Sequence, residues 1–255
     1  MPVKLGKDTA RVLLICGLVS FLAFLVAFFY YRHKNRSADP RVREAVRWLD
    51  RSDELISSGK TMEAMRILDS ASHIFNALPA YDGSYEHGII HNNRCSALLM
   101  TALYDSSLLA VEKERLLRLA RAYADTSLHI YDRWMETWEG LGKAEILQRL
   151  SPGFEDLKGD YSSRRLDAML QNRTDQIEMA KMETPRRMSV AYTNLGTICR
   201  HSEEPDSALY FFQKALELWK HNRTAASNLE VLKGGKPVKP GVIESLFPPD
   251  KYKTE

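Results

Sequence analysis

A run of 20 uncharged residues, Val12 to Tyr31 (VLLICGLVSFLAFLVAFFYY), constrains this chain more than any other feature. A helix rises about 1.5 Å per residue, so the run is about 30 Å long, the thickness of a bilayer's hydrocarbon core. Phe28, Phe29, Tyr30 and Tyr31 close it, and Arg32, His33, Lys34 and Arg36 follow at once. Aromatic rings at the interface and cations among the headgroups are how a spanning helix ends. A cleaved signal peptide has a shorter apolar core, about 7–15 residues, with small residues before the cut. Phe-Phe-Tyr-Tyr is a poor exit for signal peptidase. A lipoprotein signal places a small residue before its cysteine, whereas Cys16 follows Ile15 inside the run. The run predicts a single transmembrane helix over 12–31, between an N-terminal tail (1–11) and a basic juxtamembrane linker (32–43).

Charge separates the two parts of the chain. The net charge is +3, but residues 1–43 carry eight Lys or Arg against Asp8 and Asp39. The remainder is net acidic by three charges. The basic excess is therefore a membrane flank suited to anionic headgroups. A mildly acidic helical domain is not the electrostatic footprint of a nucleic-acid binder. Cys16 falls in the apolar run, which leaves Cys95 and Cys199. Their spacing fits no metal motif, and they read as small half-buried helix residues.

After residue 40 the sequence shows helical periodicity with short polar breaks. In AYTNLGTICRHSEEPDSALYFFQKALELWKHN (191–222), Tyr192, Leu195, Gly196 and Cys199 form one apolar stripe. Ala208, Phe212, Ala215 and Leu216 form a second, after a turn in which Pro205 and Asp206 start a helix. Two antiparallel helices on a short turn must approach closely, which explains the small residues Gly196, Ala208 and Ala215. Asn194-Leu195 is echoed 34 residues later by Asn228-Leu229. Nearer the apolar run, Trp48, Gly59, Ala64, Leu68 and Ala71 fall at the same spacing, with Gly59-Lys60 as the turn. Trp138, Leu141 and Gly142 repeat the aromatic-Leu-Gly part, followed by an insertion, SPGFEDLKGD, and a long helix over about 161–182. Residues 86–131 read as a further helix pair.

These spacings resemble the tetratricopeptide repeat, whose period is about 34 residues. The repeat's closing proline is absent, with Lys220 in its place. The resemblance implies an all-α array of helix-turn-helix repeats, a right-handed superhelix over 44–233, with 223–233 as capping helix. It further implies a concave groove lined by the first helix of each pair. Asn93, Asn194 and Asn228, with Thr197 and Arg200 on the same face, are the expected peptide-binding residues of that groove. An Asn amide both donates to and accepts from a peptide backbone. The family's Lys and Asn set for clamping a C-terminal carboxylate is incomplete. The tail 234–255 holds four of the ten prolines and reads as extended. A lesser reading seats Val242–Phe247 in the domain's own groove.

No phosphate loop, nucleophile elbow or His-Glu-x-x-His motif occurs. His87 and His91, four apart, with Glu86 beside them, are the nearest approach to a metal set. The expectation is a protein that is not an enzyme and uses no metal or cofactor. It binds other proteins, as peptide segments or helices, and the bilayer through 12–31, but no nucleic acid. A structural subunit with a permanently filled groove is the alternative, and a metal enzyme using His87 and His91 a minor one. Near the span, five Lys or Arg follow and three precede, which leans the repeat domain toward the cytoplasm. A short tail with three cations resists export, which argues the other way. Asn-x-Ser/Thr sequences at Asn35, Asn172 and Asn222 do not decide the side.

Overall fold

The computed structural model describes residues 7–238, without the side chains of 7–10 and 30–36. The described residues form α-helices joined by turns and two short 3-10 segments, with no strand. The first helix, α1 (Lys7–Ser37), contains the apolar run, of which Arg11–Phe29 is long and apolar enough to cross a membrane. None of that stretch is buried against the rest of the chain. The helix continues to Ser37, so the first half of the expected linker 32–43 is helical. The tail beyond Val238, with Val242–Phe247, lies outside the described residues.

Helices α2 (Arg43–Ser57) and α3 (Thr61–Asn76) form a first pair. Gly59 makes the turn between them with φ 77°, which a left-handed position favours. Lys60 N–H bonds to Leu55 C=O and Gly59 N–H to Ile56 C=O, a Schellman end that satisfies the last carbonyls of α2. Ala64 and Ala71 are fully buried on α3, and Trp48 packs against the cluster of Ala71, Leu68 and Phe75. A 3-10 turn at Pro79–Tyr81 leads to the second pair, α4 (Tyr85–Tyr104) and α5 (Ala110–Trp138). Here Gly88 admits Tyr131, whose ring would lie within 2.7 Å of an added Cβ.

The third pair is the second half of α7 (Ser163–His201) with α8 (Pro205–Leu218). Gly196 faces Phe212 so closely that an added Cβ would stand 2.6 Å from the ring. Ala208, Phe212 and Ala215 are fully buried. The expected close approach of these helices is therefore met. The turn repeats the outer bond of the first, Glu204 N–H to Cys199 C=O at 2.9 Å, with Glu203 in the left-handed position at φ 61°. Helix α9 (Arg223–Leu232) then covers the cluster of Phe212 and Leu229. Its start is capped by Asn222, whose Oδ1 accepts from Ala225 N–H at 3.0 Å.

Each second helix packs on the first helix of the next pair, and the first helices α2, α4, α7 and α9 contact one another in order. The buried clusters follow this order, one shared by α2, α3 and α4, one by α4, α5 and α7, and one by α7, α8 and α9.

Two expectations are corrected. Trp138, Leu141 and Gly142 do not share a first helix. Trp138 ends α5, and Gly142 precedes α6 (Lys143–Leu150), where its N–H bonds to Glu145 Oε2 at 2.8 Å. A glycine before a helix with Glu at its third position is a start signal, and here it outweighs the repeat spacing. The long helix expected to end near 182 instead continues to His201. Pro185 removes one backbone donor inside it. Ile177, Ala180, Thr184, Ala191, Leu195 and Ile198 nevertheless form one buried stripe across the proline. Burial of that stripe on both sides outweighs the lost hydrogen bond. The segment from α6 to the first half of α7, with a 3-10 turn at Ser151–Leu157, is thus an insertion between the second and third pairs.

Candidate functional site

The first helices of the three pairs line a cavity of about 600 Å³. Helix α2 contributes Val46, Asp50 and Asp53, α4 contributes Ile89, Asn93 and Ser96, and α7 contributes Glu183, Arg187 and Val190. Val46, Ile89 and Val190 stand at one register position of the repeat spacing, four residues before Asp50, Asn93 and Asn194. One wall is therefore acidic, the far wall mixed with basic groups, and the floor alternates apolar and amide side chains.

The expected peptide-facing amides run from helix to helix. Asn93 Nδ2 donates to Asp53 Oδ1 at 2.8 Å and to Ser52 Oγ at 2.9 Å. Asn194 Nδ2 donates to Ser96 Oγ at 3.2 Å and to Asn92 Oδ1 at 3.1 Å. Asn228 Nδ2 donates to Thr197 Oγ1 at 3.3 Å, and its Oδ1 accepts from Arg200 at 3.4 Å. Asp53, Ser96 and Thr197 each stand three residues after Asp50, Asn93 and Asn194 on their own helices. The three ties are the same bond in the same register, repeated at each junction of first helices. The donors of all three amides are engaged within the chain.

Asp50 holds the ladder position on α2, and no described hydrogen bond or ion pair engages it. The reason is its place in the array. Helix α2 opens the series, so no earlier first helix lies within reach of this rung. Partial shielding in the groove raises its carboxyl above the ordinary value. Asp50 was not among the residues singled out from sequence. The register that marked Asn93 and Asn194, carried back from Trp48, would have found it.

Beside the groove, Glu86 forms a buried pair with Arg173, with contacts of 2.5 and 3.1 Å. The Arg173 guanidinium also lies over the Tyr81 ring at 4.3 Å and the Tyr85 ring at 5.3 Å. Burial pushes the Glu86 carboxyl up, but the charge and hydrogen bonds of Arg173 outweigh it and hold it low. Glu86 is thereby committed to Arg173. His87 packs edge-on against Phe75 of α3 and His91 against Tyr123 of α5. The two histidines thus face different neighbours, and among the described residues no three His, Cys, Asp or Glu gather to hold a metal. Cys95 and Cys199 are buried free thiols, and burial pushes Cys95 up to about 12.

Asn222 is buried, donating to Ser189 and Thr193 as well as capping α9. Folded, it presents no amide for glycosylation.

Among the described residues, fold and site together define an all-helical, repeat-like protein with one apolar helix long enough to span a membrane. No protein-family model, curated protein or solved structure matches the chain.

Proposed function

We propose that the chain is a membrane-tethered adaptor of the tetratricopeptide-repeat kind. It holds an extended segment of a partner protein in the groove between α2, α4 and α7. The repeat reading is supported by the amide ladder and by the left-handed turn residue shared by Gly59 and Glu203. The tether is supported by the length and exposure of the apolar part of α1. Anchoring confines partners to a surface and raises their effective concentration. The five Lys or Arg after the span against three before it lean the groove toward the cytoplasm, against the short three-cation tail that resists export.

One observation carries the binding reading. Asp50 sits in a groove of about 600 Å³ without an internal partner. A partly shielded carboxylate that no hydrogen bond or ion pair of the chain engages favours a ligand that brings a cation. The partner segment therefore carries a Lys or Arg toward α2 and an apolar side chain toward Val46, Ile89 and Val190. Peptides selected from a displayed library on the full chain in phosphatidylcholine nanodiscs test this. The expected peptides share a basic residue and bind an Asp50→Lys variant at least about tenfold more weakly, a loss of about 1.4 kcal/mol. Binding to the exposed control Glu139→Lys stays unchanged. Peptides that bind Asp50→Lys as tightly as the wild type would overturn the groove assignment.

A further inference from the structure

A second cavity, of about 980 Å³, lies where α1 meets α2 and α7. Its apolar wall is Phe24, Ala27 and Phe28 of α1, continued by Val42, Val46 and Met169. Phe24 and Phe28 stack at 6.4 Å near the end of the apolar stretch. Its polar wall carries Arg43 and Arg47 from α2 and Arg165 from α7. The carboxylates at this cavity are already engaged. Asp39 accepts from Arg41 at 2.7 Å and from Tyr81 at 3.1 Å, and Glu86 is held by Arg173. Arg47 has only a loose exposed contact with Glu44 at 3.8 Å. Arg165 lies over the Tyr161 ring at 4.3 Å, and its Nε is buried without a hydrogen-bond partner. The surplus charge facing the cavity is positive.

We propose that this cavity binds an acidic phospholipid, with its phosphate among Arg43, Arg47 and Arg165 and an acyl chain along Phe24 and Phe28. The proposal rests on the reading of α1 as a membrane span. The order of groups along the cavity, apolar rings then cations, is the order of groups along a phospholipid at the interface. Guanidinium groups match phosphate oxygens in charge and fork geometry. Arg165 separates this site from general attraction to the basic flank. It stands on α7, more than a hundred residues from the span, and only the fold brings it there.

The test uses the full chain in neutral detergent, with phosphatidylglycerol or phosphatidylcholine added and bound lipid counted by native mass spectrometry. The expected result is one retained phosphatidylglycerol, with phosphatidylcholine lost at least about tenfold more readily. Arg165→Gln should lose that preference and Arg165→Lys should keep most of it. Arg164→Gln, an exposed neighbour outside the cavity, should behave as the wild type. Thermal melts of each variant identify any that fail to fold. Equal retention of the two lipids, or equal behaviour of Arg164→Gln and Arg165→Gln, would overturn the site. Displacement of the lipid by millimolar inorganic phosphate would assign a free-anion site instead and overturn the lipid. Flotation with phosphatidylcholine vesicles separates the two readings. A chain that floats but shows no lipid preference loses only this site, and a chain that does not float loses the tether as well.

Discussion

At the scale of single residues, sequence spacing disclosed positions better than partners. Gly196, Ala208 and Ala215 could be read directly, because close helix approach permits few side chains. Asn93, Asn194 and Asn228 were also found at their positions, but which groups they meet depends on where first helices cross. That crossing is set by side chains on other helices, so Ser96 and Asp53 gave no sign of being partners. Glu203 in the left-handed turn is a residue-scale strain, since a Cβ there costs about 1–2 kcal/mol. Its counterpart in the first pair is Gly59. Glu203→Gly should stabilise the protein by about 0.5–1 kcal/mol, less than the full strain because glycine loses more entropy on folding. Thermal unfolding would show a higher midpoint. The buried Arg173–Glu86 pair predicts the opposite sign. Arg173→Leu leaves a carboxylate buried and unpaired, and denaturant unfolding should show a loss of about 3–5 kcal/mol.

At the scale of helices, the sequence marked most pairs but placed one unit wrongly. Trp138, Leu141 and Gly142 matched the repeat in three residues, with no second helix at the right distance to support them. The unit 191–222 matched on both helices, and there α7 and α8 pack as a pair. The unbroken α7 was hidden by Pro185, because local propensity argues for a break while the buried stripe continues through it. Helix α9 is short and depends on its start. Asn222 caps it and ties it to Ser189 and Thr193 of α7 in one buried cluster. Asn222→Ala removes the cap and leaves buried polar groups unsatisfied, for a cost of about 1–3 kcal/mol. Amide exchange should accelerate first in α9, ahead of α2 and α3.

At the scale of the whole molecule, acid should weaken the fold. Burial, then the charges of Arg94 and His87, lowers His91 from 6.5 to about 4. Glu86 is also held below its ordinary value. Each group binds more protons unfolded than folded, so stability is present at neutral pH and is lost as pH falls. The loss begins near pH 6.5 with His91 and continues below pH 4.5 as Glu86 is protonated. Melts across that range should show a falling midpoint, with a shallower slope in His91→Gln above pH 4. The array order also accounts for the site. Internal rungs of the ladder are tied to neighbours, while the first rung, Asp50, faces the groove unpaired.

The most direct measurement leaves Asp50 in place and puts a photo-crosslinking residue at Val46 or Ser57 on the groove, and at Ser70 or Thr126 on exposed faces of α3 and α5. The chain is expressed full length in membranes, and crosslinked peptides are identified after illumination. The account predicts a discrete partner segment containing a Lys or Arg at the groove positions and none at Ser70 or Thr126. Crosslinks confined to Ser70 and Thr126, or the same segments at all four positions, would contradict a binding groove formed by α2, α4 and α7.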